Sequence, residues 1–232
     1  MNKIGWIIFS AAVVLLLGGL VAWTRISNPP IDVSGLENNS IIAASDQNGN
    51  IADHVTGSDS NKIMLIEYGD YQCPSCGGAY PNVKTLLDEY GENVTFVFRN
   101  FPLTSIHPNA RAAAAVAEAA GLQGKFWEMH DMLYENQNSW ENLDSSKRAD
   151  IFTQYATSLG LDIDKFNADI AGNQTSKKVN FDLALGKEAG VSATPTFFLN
   201  GEQLDEATSG GIVQGDLKKI KQQLDDLVSK NN

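Results

Sequence analysis

The strongest constraint in this chain is its pair of cysteines. The 232 residues contain only Cys73 and Cys76, which lie in the stretch EYGDYQCPSC. The apolar run KIMLIEY precedes them and is typical of a buried strand. PNVKTLLDEYG follows with helical spacing and ends at a glycine, and NVTFVFRN is again typical of a buried strand. The CxxC pair is therefore predicted at a strand-to-helix junction inside a β-α-β unit.

Two thiols at this spacing serve proteins as part of a zinc site, as a structural disulfide, as a copper carrier or as a redox site. Structural zinc needs four ligands, and the three histidines His54, His107 and His130 are scattered. A disulfide across four residues constrains the chain little, and nothing in the spacing requires copper. A thiol at a helix N-terminus, in contrast, faces unpaired N–H groups that stabilise its thiolate. A redox site is favoured, with an exposed Cys73 as the activated thiol and no metal or organic cofactor.

A second feature lies about 120 residues further on, in VSATPTFFLNG. Pro195 stands directly before an apolar stretch that reads as a strand, where a proline removes one donor from the ladder. One interpretation is an ordinary proline at the edge of a sheet. The other is a cis-proline beside the cysteines, which holds Thr194 so that its backbone pairs with an extended substrate.

The N-terminus carries the longest apolar segment of the chain. From Ile4 to Thr24 there is no charged residue, and 21 residues of helix at 1.5 Å each span about 30 Å, the thickness of a bilayer core. Residues 1–25 are predicted as a transmembrane anchor, and a cleaved signal peptide is the alternative. Either interpretation places the rest of the chain outside the cytoplasm, provided that the N-terminus stays inside.

The remainder divides into a tether and one domain. Residues 26–50 are rich in Asn, Ser, Pro and Gly and are predicted as a flexible tether, followed by a domain over 51–232. Residues of about 103–190 are rich in helix formers and are predicted as an all-helical insertion. TFFLNG returns to strand, and EQLDEATSGG is interpreted as its hairpin partner. The formal net charge of −11 disfavours nucleic acid as a partner.

Four stretches taken together resemble a known family: EYGDYQCPSC, FRNFPL, GKFWEMHDMLYENQ and GVSATPTFFLNG. They are similar to the DsbA-type thioredoxin-like thiol:disulfide oxidoreductases, and more narrowly to the membrane-anchored bacterial forms. The resemblance covers about residues 50–230, in the family's order. It implies an α/β thioredoxin fold, a central mixed sheet flanked by helices, with the helical insertion where the family has it.

The resemblance also implies roles for five residues. Cys73 would be the nucleophile, Cys76 the resolving thiol, and Pro195 the cis-proline that follows Thr194 at the substrate-binding position. The family has a buried acid six residues before its first cysteine, and Glu67 stands there. A carboxylate at a strand end in water is the plain alternative, but an acid inside the apolar run LIEY favours proton relay to Cys76.

The activity implied is oxidation of thiols in exported cysteine-containing proteins. The family relation further implies reoxidation by a quinone-linked membrane protein of the DsbB or vitamin-K-epoxide-reductase type. Two departures keep a reductase or isomerase as the alternative. Ser75 stands where the strongest oxidants of the family have His, and Thr194 precedes the proline in several isomerases and reductases. Against an isomerase, 26–50 is too short for a dimerisation domain, so a monomer is expected. A binding module for unfolded exported chains, in which the disulfide is incidental, is the remaining alternative.

Overall fold

The computed structural model describes residues 3–27, 31–37, 39–58 and 62–231. It divides into two compact units, Met1–Asp32 and Val33–Asn232. The first contains one helix, α1 (Lys3–Ser27). Among the described residues, no helix is long and apolar enough to cross a membrane. The transmembrane anchor predicted over residues 1–25 is therefore not supported.

The second unit begins earlier than the domain boundary that the sequence predicts. It includes residues 33–50, most of the segment interpreted as a tether, whereas residues 28–30 and 38 of that segment lie outside the described residues. Val33 and Ile42 are buried, and Asn48 has no exposed surface. The side chain of Asn48 donates to the carbonyl oxygen of Ala43 and accepts from the backbone N–H of Ser45. Side-chain hydrogen bonds thus order a stretch whose composition is typical of a loop.

The second unit contains five strands and nine helices among its described residues. The strands are β1 (His54–Gly57), β2 (Ile63–Gly69), β3 (Val94–Asn100), β4 (Thr196–Leu199) and β5 (Glu202–Gln203). The helices are α2 (Pro74–Tyr90), α3 (Ala110–Gly121), α4 (Phe126–Glu135), α5 (Gln137–Trp140), α6 (Ser145–Ser158), α7 (Ile163–Ile170), α8 (Asn173–Glu188), α9 (Glu206–Gln214) and α10 (Lys218–Asn231). Helices α3 to α8 form the predicted helical insertion between β3 and β4.

The strands form one mixed sheet in the order β1-β3-β2-β4-β5. The central strands β2 and β3 are parallel, as a β-α-β unit requires, and every other pair is antiparallel. All seven residues of β2 are buried, because helices cover both of its faces. The central mixed sheet with flanking helices agrees with the fold predicted from the sequence.

The interpretation of EQLDEATSGG as a hairpin partner is only partly correct. Glu202 and Gln203 pair with β4, but the chain then turns into α9. Asp205 begins this helix, because its side chain accepts hydrogen bonds from the backbone N–H and the hydroxyl of Thr208. The N-cap outweighs the low helix propensity of the two glycines at 210 and 211.

Alternation along the central strands separates two chemical environments. Glu67 and Phe98 are register partners and share one face of the sheet, whereas Tyr68 and Arg99 are partners on the other face. Phe98 packs against the rings of α4, and Arg99 packs among polar groups that include Asp53. The sheet therefore stands between the cysteine side of the domain and a buried ion cluster.

Candidate active site

Cys73 occupies the N-cap of α2. Its backbone is extended, with φ −72° and ψ 123°, and Pro74 begins the helix where a missing N–H costs nothing. Both cysteines are free thiols in this structure, and Cys73 is only 6% exposed, although the sequence predicted an exposed thiol. Burial follows from the approach of Thr194, whose carbonyl oxygen lies 3.3 Å from the Cys73 sulfur and accepts a hydrogen bond from it when Cys73 is protonated.

The pKa of Cys73 is lowered to about 5. A hydrogen bond with the Cys76 side chain is the largest cause, and it outweighs burial, which acts in the opposite direction. The Thr194 side chain and the backbone N–H groups of Cys76 and Ser75 lower the pKa further. The Thr194 hydroxyl is buried and has no hydrogen-bond partner among the described residues, so it is available to donate to a thiolate. Cys73 is therefore ionised at neutral pH.

Cys76 has the opposite character. Its side chain is fully buried, and burial raises its pKa well above the ordinary range of a thiol. The hydrogen bond with Cys73 and the charge of Glu67 raise the pKa further, while the backbone N–H of Asp70, 3.4 Å from the Cys76 Sγ, lowers it. The two thiols therefore differ strongly, one a thiolate and the other protonated, as an attacking and a resolving thiol must.

Glu67 lies in the middle of the central strand β2 and is 3% exposed. Burial raises its pKa to about 8, with a smaller contribution from the charge of Cys73. The carboxyl group is therefore mostly protonated at neutral pH, and it titrates in the range where thiol chemistry takes place. The structure thus places at position 67 a buried acid rather than a solvated strand-end carboxylate.

The Thr194–Pro195 peptide bond is cis, as the resemblance implied. Pro195 directly precedes β4, whose antiparallel pairing with β2 places Phe197 opposite Glu67. Pro195 is therefore held in place by the pairing of β4 with β2. This arrangement brings the carbonyl of Thr194 to Cys73, which is 121 residues away in sequence. All five residues singled out from the sequence belong to one region of the molecule.

The helical insertion holds the backbone around the cysteines. Gln137 Nε2 donates to the carbonyl oxygens of Tyr71 at 2.7 Å and of Cys73 at 2.9 Å. Gly77 leaves space for this contact, because an added Cβ there would lie 2.5 Å from the Gln137 Oε1. Gln137 was not identified as a functional residue, since a glutamine after a helix is usually solvated.

Gln72 makes a second connection between the cysteine turn and the insertion. Its side chain donates to the carbonyl oxygen of Glu141 at 2.6 Å and accepts from the backbone N–H of Asn109 at 2.6 Å. Asn109 in turn donates to the carbonyl oxygens of Glu141 and Leu143. These buried amides were not identified from the sequence, because their partners become neighbours only in the folded chain.

Asp70 organises the turn between β2 and α2. One carboxylate oxygen accepts from the backbone N–H of Gln72 at 2.8 Å, and the other accepts from the backbone N–H of Leu103 at 2.8 Å. His107 Nδ1 lies 2.8 Å from the same second oxygen. The buried carboxylate therefore fixes the segment that precedes Cys73 to the chain that leads into the insertion.

Geometry of this kind defines a dithiol redox site in a thioredoxin fold, with one activated thiol at a helix N-terminus. Within the described part of the chain, no group of three or more metal-binding side chains is present. A low-pKa thiol beside a buried partner thiol is the arrangement suited to thiol–disulfide exchange.

Comparison with known proteins identifies the family. The profile of the thioredoxin family named Thioredoxin_4 matches residues 49–219. The chain belongs to this thioredoxin family. BdbD from Bacillus subtilis has a similar structure, with a TM-score of 0.64 and 21% identity over 82% of this chain and 97% of that chain. The thiol-disulfide oxidoreductase MdbA from Corynebacterium diphtheriae gives a TM-score of 0.58 and 18% identity over 81% and 98% of the two chains.

The family match and these similar structures confirm the thioredoxin fold that the resemblance implied. A sequence relative of another kind is the Na(+)/H(+) antiporter NhaA 1 of Salinispora arenicola, 41% identical over 151 residues. The match covers 65% of this chain and 22% of that protein. The chain thus spans about a fifth of the length of the curated relatives it matches.

Proposed function

We propose that the protein is a dithiol oxidase that introduces disulfides into exported proteins through Cys73 and Cys76. The observation that carries this proposal is the position of Cys73 at the N-cap of α2 beside the Cys76 thiol, where hydrogen bonds lower its pKa to about 5. A stabilised thiolate favours the reduced form of the enzyme and is a good leaving group. The first effect favours net transfer of electrons from the substrate to the enzyme, and the second speeds release of the oxidised substrate.

The reaction takes two exchange steps. A substrate thiolate attacks the Cys73 sulfur of the enzyme disulfide, and Cys76 leaves and takes a proton from Glu67. The second substrate thiolate then attacks the substrate sulfur of the mixed disulfide and expels Cys73 as a thiolate. The substrate loses two electrons and gains a disulfide, and the enzyme becomes a dithiol. Thr194 and Pro195 hold the extended substrate beside Cys73.

Return to the disulfide form requires an electron acceptor. A membrane protein of the DsbB or vitamin-K-epoxide-reductase type would accept two electrons from the enzyme dithiol and pass them to a quinone. The domain would act as a monomer outside the cytoplasm, and the uncharged run Ile4–Thr24 supports export. Cell fractionation with protease treatment tests this location. Membrane-bound, protease-accessible protein supports an anchor, a shortened free protein supports a cleaved signal, and protease-protected protein contradicts export.

The reduction potential of the Cys73–Cys76 pair tests the direction of the reaction. Purified protein would be equilibrated with glutathione buffers, and the fraction of disulfide would be measured by alkylation. A potential of about −120 to −180 mV is expected for a donor of disulfides. A value near about −270 mV, the range of thioredoxin, would contradict the oxidase and support a reductase.

Ser75 is the specific feature that keeps the reductase or isomerase as a second candidate. Its side chain is exposed beside the cysteines and supplies no positive charge to the thiolate.

An assay with a peptide that contains two cysteines distinguishes either enzyme from a binding module without catalytic activity. Oxidation of the peptide should depend on Cys73 and be abolished in Cys73→Ser. Undiminished peptide oxidation in that variant would contradict catalysis by Cys73.

A further inference from the structure

A cavity of about 160 Å³ lies between α2 and α4 against the sheet, apart from Cys73 and Pro195. The buried Glu67 lines this cavity, and so do Lys84 and Asp131, whose side chains are 45% and 35% exposed. It is large enough for several water molecules, given the volume that each occupies. Glu67 is buried in the sheet, yet it lines the same cavity as two side chains that reach solvent.

Two polar side chains along the cavity have groups without partners. His130 is 6% exposed, and its Nε2 has no hydrogen-bond partner among the described residues. The hydroxyl of Tyr134 is equally buried and equally unpaired. Both residues line the cavity, and buried polar groups of this kind are ordinarily satisfied by ordered water. An apolar cavity would stay dry, whereas this one offers at least three polar groups to water.

The tautomer of His130 follows from its other nitrogen. Nδ1 lies 3.2 Å from the Asp131 carboxylate, so it carries the proton, and Nε2 is left as an acceptor. Burial lowers the pKa of His130, which keeps the ring neutral at pH 7. Titratable or charged groups face the ring from each neighbouring element: Asp131 and Tyr134 on α4, Tyr80 and Lys84 on α2, Glu67 and Tyr71 at β2, and His54 on β1.

We propose that this cavity is a hydrated proton path that connects Glu67 to solvent, in which His130 and Tyr134 are positioning residues. The inference rests on the proposed proton relay by Glu67. When Cys76 attacks a mixed disulfide on Cys73, its Sγ–H bond breaks, the proton passes to the Glu67 carboxylate, and the substrate thiolate leaves. Glu67 then releases the proton along the waters held by Tyr134 and the His130 Nε2. The reverse reaction uses the same path in the other direction.

The test is the rate at which Cys76 resolves a glutathione mixed disulfide on Cys73, measured by rapid acid quench between pH 5 and 9 in H₂O and D₂O. His130→Phe keeps the ring packing and removes the acceptor. It should slow resolution by about three- to tenfold and raise the solvent isotope effect, because proton release limits the rate. His130→Gln, which restores an acceptor, should recover part of the rate. Tyr134→Phe should act in the same direction as His130→Phe.

The matched control is Tyr155→Phe, which removes the hydroxyl of a half-buried tyrosine that does not line the cavity. It should leave the rate and the isotope effect unchanged. Wild-type kinetics in both His130→Phe and Tyr134→Phe would overturn the proton path. If Glu67→Gln is slow while those two variants are normal, only the path is wrong. If Glu67→Gln also matches the wild type, the relay fails together with the path.

Discussion

The side-chain amide of Gln137 donates to the carbonyl oxygen of Cys73, so the helical insertion holds the residue that begins the active-site helix. The same amide donates to Tyr71, and the two bonds fix the backbone on both sides of Gln72. The insertion is therefore part of the active site and does more than cover the sheet. Substitutions in the insertion should therefore change the pKa and the reactivity of Cys73.

Gln137→Ala should weaken both the fold and the reactive thiol. Two buried carbonyl groups would lose their donor, which costs about 2 kcal/mol of unfolding free energy. Without these bonds the turn would be more mobile, and the backbone N–H groups that stabilise the Cys73 thiolate would be held less firmly. The pKa of Cys73 should therefore rise. Urea unfolding and the pH dependence of alkylation measure the two effects. Gln123→Ala changes a half-buried glutamine that bonds the backbone of Asp162; it is the matched control and should leave the thiol pKa unchanged.

Thr194→Val should raise the pKa of Cys73 while the fold is kept. Valine has the same shape as threonine but cannot donate to the thiolate, and one hydrogen bond of this kind corresponds to about 0.5–1 pKa unit. The absorbance of the thiolate during pH titration measures the change. Thr196→Val is the control, because the hydroxyl of Thr196 donates to the carbonyl oxygen of Ala193 instead. If the pKa of Cys73 is unchanged in Thr194→Val, the hydrogen bonds from Cys76 and from the backbone N–H of Ser75 account for the low pKa of Cys73.

Glu67 and Cys73 should give the reduced protein two opposing dependences of stability on pH. The folded pKa of Glu67 is raised from 4.5 to about 8, so the folded state binds more protons and stability falls as pH rises through this range. The folded pKa of Cys73 is lowered from 9.0 to about 5, so its contribution is lost as pH falls through that range. Between pH 5 and 8 the two slopes, each on the order of 1 kcal/mol per pH unit, should largely cancel.

Single variants separate these slopes. In reduced Glu67→Gln the free energy of unfolding should rise with pH from 5 to 8, because only the Cys73 contribution remains. In Cys73→Ser it should fall over the same range, because only the Glu67 contribution remains. Urea unfolding at each pH with reductant present measures both. A flat profile in Glu67→Gln would show that Cys73 has an ordinary pKa in the folded state. A flat profile in Cys73→Ser would show the same for Glu67.

The buried ion cluster on the other face of the sheet gives a prediction about stability alone. Lys178 Nζ bonds Asp53 at 3.0 Å and Asp182 at 2.7 Å, and all three side chains are fully buried. Lys178→Met would leave two carboxylates with less compensation and should cost about 3–5 kcal/mol of unfolding free energy. Lys177→Met changes the exposed neighbour and should cost no more than about 0.5 kcal/mol. The pKa of Cys73 should be the same in both variants.

The central part of the fold and the dithiol site were predictable because their signals are local. The apolar run of β2, the proline at the start of α2 and the spacing of Cys73 and Cys76 all lie within 30 residues of one another. Pro195 was also identified, as one of two interpretations of a proline directly before a strand, and the resemblance favoured the position beside the cysteines. These residues are specified by periodicity and by motif, which a single sequence displays directly.

Residues whose role depends on a distant partner were not predictable. Gln137 meets Cys73 across 64 residues of chain, and Lys178 meets Asp53 across 125. In a sequence, a glutamine and a lysine read as solvated side chains, and only the tertiary fold decides otherwise. The segment around Asn48 has the composition of a loop for the same reason, since its polar groups are satisfied by partners that composition does not reveal.

The ion cluster also has a consequence for the order in which the chain matures. Asp53 belongs to the first quarter of the polypeptide, and its cation Lys178 is synthesised 125 residues later. Until α8 has left the ribosome, the Asp53 carboxylate and the guanidinium of Arg99 lack a third member of their charge network. Contacts of such long sequence separation form late and slowly. The nascent chain should therefore stay incompletely folded, and accessible to chaperones, for most of its synthesis.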